Sequence, residues 1–331
     1  MLDHYIEDEK DKVEVKVPVI GKEAGVMSFD DLKTGGYIKQ RQKDKFTVRC
    51  MVPGGRLPIK KMKKIAEVAE KYGADYVHIS VRQSVEIPYV DYHNFDRVVS
   101  ELAEADQKVA SCGPRVRVPT ACSGCEYNPN GLSDTQGLTK VINEKFFGSA
   151  CNHKFKMSLS GCPIDCARTS EMDLGFQGAV FPEWEEEKCT GCRICASACQ
   201  EGAIVDHPET GMPIFDPEKC LYCADCIRAC PTEAWIPGKT GHVVRVGGKH
   251  GRHPLKASVV AKFVSDEDVP KVVEKTVEWY NKHGHGKGRV RIGSILSEEG
   301  MMQSYMEHMK DVFKDKAVKD PKPPVEINIQ E

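Results

Sequence analysis

Eight cysteines fall into two matching runs, Cys189-x2-Cys192-x2-Cys195-x3-Cys199 and Cys220-x2-Cys223-x2-Cys226-x3-Cys230-Pro231. Three thiols on one tight loop can cap three iron corners of a cubane, and the fourth ligand must come from elsewhere. In two-cluster runs of this form the fourth cysteine serves the other cluster. The spacing therefore assigns Cys189, Cys192, Cys195 and Cys230 to one [4Fe–4S] cluster. Cys220, Cys223, Cys226 and Cys199 go to a second. Zinc sites and disulfide frameworks use other spacings. A segment built this way moves electrons, and the rest of the chain should say where they go.

Two further pairs, Cys122-x2-Cys125 and Cys162-x3-Cys166, stand outside these runs. Alone they could hold a third [4Fe–4S] cluster or a zinc ion. Cations gather around them in the sequence. Arg49, Arg82, Arg115, Arg117, Lys154, Lys156 and Lys249 lie beside glycine loops, strand ends or cysteines. Such a set suits a polyanionic cofactor and a small oxyanion. Cys50 and Cys112 read as buried small hydrophobes.

The elements that must position these groups follow from pattern. The residues 46–52 read as a strand ending at Pro53-Gly54-Gly55. The residues 59–72 have helical spacing and stop at Gly73. Strands follow at 76–80 and 84–89, then a helix at 93–105, which is the start of a ferredoxin-like βαββαβ unit. Asp134 is placed to cap a helix. A short strand reaches Leu159. Strands are expected near 13–20, 243–248, 259–264 and 289–295. Helices are expected after Ser265-x-x-Asp268 and over 301–313, with a loosely ordered tail from Lys314. The fold class is α+β, in four parts: an N-terminal arm (1–44), a ferredoxin-like half-domain (45–110), an α/β catalytic domain (111–183 and 237–331), and an inserted two-cluster bacterial-type ferredoxin domain (184–236).

Composition narrows the function. The chain has 331 residues, 29% of them charged, and a net charge of -2. This predicts neither a nucleic-acid nor a membrane partner, and no apolar run reaches the roughly 20 residues of a membrane span. The charged first sixteen residues carry no apolar signal core, so the expected location is cytoplasmic. Fifteen cysteines in such a chain argue for metal ligation, not disulfides. Clusters of this kind point to a low-oxygen cell interior. No G-x-G-x-x-G fingerprint follows a predicted strand, so electrons should come from a separate donor protein, either a reductase partner or a ferredoxin.

From about Lys45 to Phe313 the chain resembles the siroheme-dependent sulfite and nitrite reductases. Within that family it is most similar to the anaerobic type, in which a single catalytic unit is followed by a two-cluster ferredoxin insert. The resemblance rests on Arg49-Cys50-Met51-Val52-Pro53-Gly54-Gly55, Val81-Arg82-Gln83, Lys154-Phe155-Lys156 and Cys162-Pro163-Ile164-Asp165-Cys166. It implies a ferredoxin-like siroheme-reductase half-domain joined to a siroheme and [4Fe–4S] domain. It also implies a siroheme-coupled cluster on Cys122, Cys125, Cys162 and Cys166, with Cys166 bridging to the siroheme iron. Arg49, Arg117, Lys154 and Lys156 would contact the substrate; Arg82, Gln83, Lys249 and Arg252 would hold siroheme. The implied activity is six-electron reduction of sulfite to sulfide. Nitrite reduction and a three-cluster electron-transfer protein are the alternatives. The family repeats its half-domain, so a single copy implies a homodimer or larger complex. One departure stands out: Asn128 occupies the position of the family's second cysteine. Cys125 is expected to take over, with Asn128, Cys151 and Cys112 as alternatives.

Overall fold

The computed structural model describes residues 12–328, in two compact units. Residues 1–11 of the expected arm and 329–331 of the tail lie outside the described residues.

The first unit comprises 12–120, 142–156 and 285–290. It opens with the antiparallel pair β1 (Lys12–Val15) and β2 (Gly25–Ser28), followed by α1 (Phe29–Thr34). Ser28 and Asp31 close a capping box at the start of α1. Next come β3 (Tyr37–Lys39), β4 (Lys45–Cys50), α2 (Ile59–Tyr72), β5 (His78–Ile79), β6 (Val85–Asp91) and α3 (Phe95–Ala103). The four strands form an antiparallel sheet in the order β3-β4-β6-β5. Alternation along β4 buries Phe46, Val48 and Cys50, while Arg49 points to the other face. α2 buries Ile65, Val68 and Ala69 and presents its lysines outward. Phe46, Tyr37 and Phe95 form the aromatic centre of the core, with Tyr37 stacked on Phe95 at 4.2 Å. The expected helix 59–72 is found with those bounds. The closing strand of the βαββαβ pattern is only a bridge, Cys50 to Val109.

The second unit comprises 121–141, 157–284 and 291–328. Its sheet is built from β7 (Thr120–Ala121, which starts at the boundary of the unit), β8 (Met157–Ser160), β9 (Leu174–Trp184), β12 (Trp235–Val246) and β14 (Ser258–Val264), in the order β14-β12-β9-β8-β7. Before β8 comes α4 (Thr135–Phe146), and Asp134 accepts the Gly137 N–H at its start, as expected. β8 and β9 are parallel, which forces a crossover connection; that crossover, residues 161–173, carries Cys162 and Cys166. Between β9 and β12 lie α5 (Ile194–Ala198), the hairpin β10 (Ile204–Asp206) and β11 (Pro213–Phe215), and α6 (Asp225–Ala229). After β12 come β13 (Leu255–Lys256), α7 (Val269–Gly284), α8 (Ile292–Leu296), α9 (Met301–His308), α10 (Lys310–Phe313) and β15 (Val325–Glu326). α7 buries Val272, Val273, Thr276 and Tyr280, and Thr276 shares a hydrogen bond of 2.9 Å with Tyr305 of α9.

Two expectations are corrected here. The residues 289–295 form no strand; Ile292–Leu296 is a short helix. Its approach to Gly247 leaves 1.8 Å between a Cβ placed on Gly293 and the Gly247 carbonyl, and Arg291 turns inward onto Asp173. The tail is not loose over its described length. Val318 donates to the Val260 carbonyl, and β15 pairs with β13. Among the described residues no helix is long and apolar enough to cross a membrane.

Candidate redox and anion-binding sites

The segment between β9 and β12 shows its repeat in the backbone. Gly191 and Tyr222, each just before the second cysteine of its run, have φ of 67° and 64°. Arg193 and Ala224, each just after it, have φ of 65° and 63°. Left-handed residues at matching places turn successive N–H groups toward one point, which is how a backbone nest receives an anion. Tyr222 and Ala224 accept this conformation where glycine is cheaper, so the loop shape matters more than its local cost.

Cys199, Cys220, Cys223 and Cys226 line one cavity of about 210 Å³. Cys199 comes from the first run and the other three from the second, which is the interleaving that the spacing assigns. The thiol chemistry of that donor set and the single shared cavity fit a cubane cluster. Burial pushes the Cys226 thiol up to about 12 and the Cys223 thiol to about 11. A metal held by these thiols would therefore displace protons. Cys195, Cys226, Ile204 and Trp235 form a small core of their own, packed by Cys199 and Cys230. At Cys230 burial acts against the thiolate, but the peptide N–H groups of Trp235, Thr232 and Ala234 and the Thr232 hydroxyl outweigh it and lower the pKa. Ala234 N–H lies 3.3 Å from its sulfur.

The other cysteine pairs meet on facing loops. Cys122 N–H donates to the Leu159 carbonyl, and the Cys122 carbonyl accepts from Thr135 Oγ1 (2.7 Å) and Gln136 Nε2 (2.8 Å). Gly161 N–H donates to Cys122 Sγ at 3.0 Å. A Cβ on Gly161 would stand 2.8 Å from Gly124 Cα and 3.6 Å from Cys122 Sγ, so only glycine lets the two loops close. Asp165, at φ 55°, holds the Cys162–Cys166 loop. Its carboxylate accepts from Ser160 Oγ (2.8 Å), Thr169 N–H (2.8 Å) and Ser170 N–H (3.4 Å). Burial pushes the Cys162 thiol up, and the Cys122 and Cys166 thiols close by add to that. Cys125 and Cys166 are exposed. Asn128 Oδ1 accepts the Asn130 N–H at 3.0 Å in an Asx turn.

Pro163 and Ile164 of the Cys162–Cys166 loop also line the 210 Å³ cavity. Arg228 of α6 donates to the Cys223 carbonyl at 2.9 Å, and its charge acts on Cys162. The two groups of thiols are thus neighbours within the second unit.

The cations of the first unit are arranged as a set. Arg49 donates from Nε to Glu86 Oε1 (2.7 Å) and from Nη1 to Cys112 Sγ (2.8 Å). Arg117 donates to the Ser111 (3.4 Å) and Gly113 (3.1 Å) carbonyls. Both guanidinium groups therefore converge on Ser111–Gly113. The backbone of Phe155 bonds to Arg115 and Arg117 on both sides. Phe155 is fully buried, and the period of two in extended chain puts Lys154 and Lys156 together on the opposite side. Arg82 donates to the Val118 carbonyl at 2.8 Å. Gln83, at φ 58°, lies against Gly55, whose added Cβ would meet it at 3.0 Å. Arg115 instead serves structure, donating to Gly148 and Ile20 carbonyls.

In the second unit Lys249 donates to Ser294 Oγ at 3.2 Å, and Arg252 is exposed. Arg245 was not singled out from sequence. It reaches Thr169 Oγ1 at 3.4 Å, and burial lowers its pKa while the Asp165 charge opposes that. A charge inside an otherwise apolar strand, Val243-Val244-Arg245-Val246, was the available signal.

Two family models match this chain. The residues 112–315 match the family model described as nitrite and sulphite reductase 4Fe-4S domain. The residues 38–105 match the nitrite/sulfite reductase ferredoxin-like half domain. The chain is 33% identical over 280 residues to a coenzyme F420-dependent sulfite reductase of Methanocaldococcus jannaschii, covering 84% of this chain and 44% of that protein. It is 27% identical over 275 residues to one of the subunits of an anaerobic sulfite reductase of Salmonella typhimurium, covering 77% of this chain and 81% of the relative. Among solved structures, dissimilatory sulfite reductase I aligns with a TM-score of 0.71 at 18% identity, over 95% of this chain and 79% of that one.

Proposed function

This chain belongs to the nitrite and sulphite reductase family, and from that premise we propose that it reduces sulfite to sulfide on siroheme. The observation that carries the reading is the convergence of Arg49 and Arg117 on Ser111–Gly113, with Lys154 and Lys156 displayed together one strand away. Sulfite is preferred to nitrite because relatives matched over most of this chain are sulfite reductases.

Siroheme, its coupled [4Fe–4S] cluster and two ferredoxin-type clusters would, when bound, relay to sulfite the six electrons that a donor protein provides. The chain supplies the rest. Cys122, Cys125, Cys162 and Cys166 would hold the coupled cluster, with Cys166 the thiolate shared with siroheme by resemblance to the family. Cys125 would take the ligand place because a thiolate holds cluster iron where an amide does not. By resemblance to the family, Arg82, Gln83, Lys249 and Arg252 would hold siroheme carboxylates. Arg49, Arg117, Lys154 and Lys156 neutralise the oxyanion, offset the cost of burying it, and favour protonation of oxygen leaving as water. Glu86 and Cys112 keep the Arg49 fork in one orientation. The residues 184–236 form the inserted two-cluster ferredoxin domain. Since Pro163 and Ile164 wall the cavity of Cys199, Cys220, Cys223 and Cys226, that cluster is the inner of the two. The donor is a separate protein, and the enzyme is completed by further protomers in a homodimer or larger complex.

The test is the absorption spectrum, tetrapyrrole extraction and iron content of anaerobically purified protein, with sulfide production from sulfite by reduced methyl viologen. Siroheme bands with about thirteen irons and sulfide formation are expected. Iron–sulfur absorbance without tetrapyrrole, from a host that makes siroheme, would leave an electron-transfer protein instead. Lys154→Ala should lower turnover at least tenfold with siroheme content retained; equal loss of both would reassign Lys154 to cofactor binding.

A further inference from the structure

We propose that a lysine-lined pocket beside the inner ferredoxin cluster is the docking site of a small acidic iron–sulfur electron carrier. The inference rests on the reading of 184–236 as an electron-transfer insert. The pocket, of about 530 Å³, is lined by Lys239, Lys262, Lys316 and Lys319 with Asp315 as the acid among them. Lys239 and Lys319 are exposed. Lys316 is engaged with Asp268 at 3.1 Å.

Three features show that the pocket is built. On β12 the pairing with β9 slips between Pro237 and Thr240, so a bulge carries Lys239. On β14 the pairing with β12 slips between His242 and Val244, which puts a second bulge at Lys262 and Phe263. Bulges re-aim side chains, and these two, on adjacent strands, aim two lysines into one concavity. Third, Phe263 has φ of 61°. A bulky residue is strained there and persists only when its surroundings impose it.

The pocket is tied to the cluster site by short steps. Lys262 Nζ donates to the Tyr222 hydroxyl at 2.8 Å, and Tyr222 N–H donates to Cys220 Sγ at 3.4 Å. Tyr222 and Phe263 pack edge to face at 5.0 Å. A carrier seated on the pocket would transfer one electron to the cluster held by Cys220 and be oxidised by one. Charge selects its surface. The residues 184–236 hold ten acidic side chains against four basic ones, so an acidic carrier is repelled by the insert itself and, near the cluster, attracted to the lysines at its flank. Complementary charge of this kind speeds encounter and fixes orientation.

The test uses anaerobically purified holoprotein and a clostridial-type acidic two-cluster ferredoxin as probe. Binding is measured by calorimetry at low and high salt. Lys239→Glu/Lys319→Glu should weaken binding at least tenfold and flatten its salt dependence, with iron content unchanged; Lys239→Ser/Lys319→Ser gives the same direction should the charge reversal fold poorly. Affinity within twofold of the parent would overturn the proposal. So would loss of self-association with ferredoxin binding retained, which would make a second copy the occupant. Sulfide production with reduced methyl viologen should stay unchanged in both variants. If the parent binds ferredoxin but makes no sulfide with either donor, the reductase reading fails and the docking site stands.

Discussion

Cysteine pairing between the two runs can be read from the iron that paired substitutions remove. Cys199 lies in the first run, yet it lines the cavity of Cys220, Cys223 and Cys226. Cys199→Ala and Cys220→Ala then strike the same cluster, and the double variant should lose about four irons, no more than either single variant. Cys199→Ala with Cys189→Ala strikes both clusters and should lose about eight. The magnitude follows from the shared cavity: two ligands of one cubane cannot remove more than that cubane. Iron is counted against protein after anaerobic purification, with far-UV circular dichroism as the check on folding. That check matters because Cys195 and Cys226 share one small core. The reverse pattern, eight irons lost with Cys220 and four with Cys189, would refute the interleaving. Loss of eight in every single variant with the fold intact would refute the independence of the sites.

The remaining predictions concern the scaffold. Asp173 is fully buried and holds Arg291, itself 10% exposed, through two bonds of 2.7 and 2.5 Å. Burial works against the Arg291 charge, and Asp173 more than restores it, leaving the pKa raised. Asp173→Asn should therefore cost about 3–5 kcal/mol, as loss of one member of a buried pair does, and reduce siroheme content through the neighbouring Gly247–Lys249 loop. A shift below about 1 kcal/mol in denaturant unfolding would contradict it. Asp31 in the capping box of α1 is held down to about 2, first by Lys22 and then by Ser28. Its folded pKa lies below its unfolded value, so its contribution is complete above pH ~4 and vanishes as pH falls toward 2. Asp31→Asn should destabilise by about 1 kcal/mol or less at neutral pH, and the gap from the parent should close in acid. A gap that persists at pH 2 would place the effect elsewhere.

Much of the site was legible because chemistry constrains spacing. The C-x2-C-x2-C-x3-C runs admit few other uses, and the helix 59–72 was marked by its apolar stripe and Gly73. The residues 289–295 misled because Val290, Ile292 and Ile295 suit a strand as well as a turn of helix. Only the long-range Asp173–Arg291 pair and the close approach to Gly247 decide between them. The tail from Lys314 looked polar and unstructured, yet its backbone finds partners in β13 and β14. The lysine pocket could not be seen at all, since its bulges are properties of pairing and leave no local mark. Asp165 had no role in the sequence reading beyond its place in the motif, yet its carboxylate organises the loop.

The ends of the insert carry a consequence for how such enzymes change. Trp184 and Trp235 are register partners on adjacent strands, with their rings 6.4 Å apart. The chain departs from the sheet and returns to it at one doorway. Whatever hangs there closes a loop whose entropic cost grows only slowly with length. A lineage could therefore lengthen, trade or discard this cysteine-rich segment while the strands beneath keep their pairing. If the segment carries electrons as proposed, the source of those electrons can change while the sheet stays as it is.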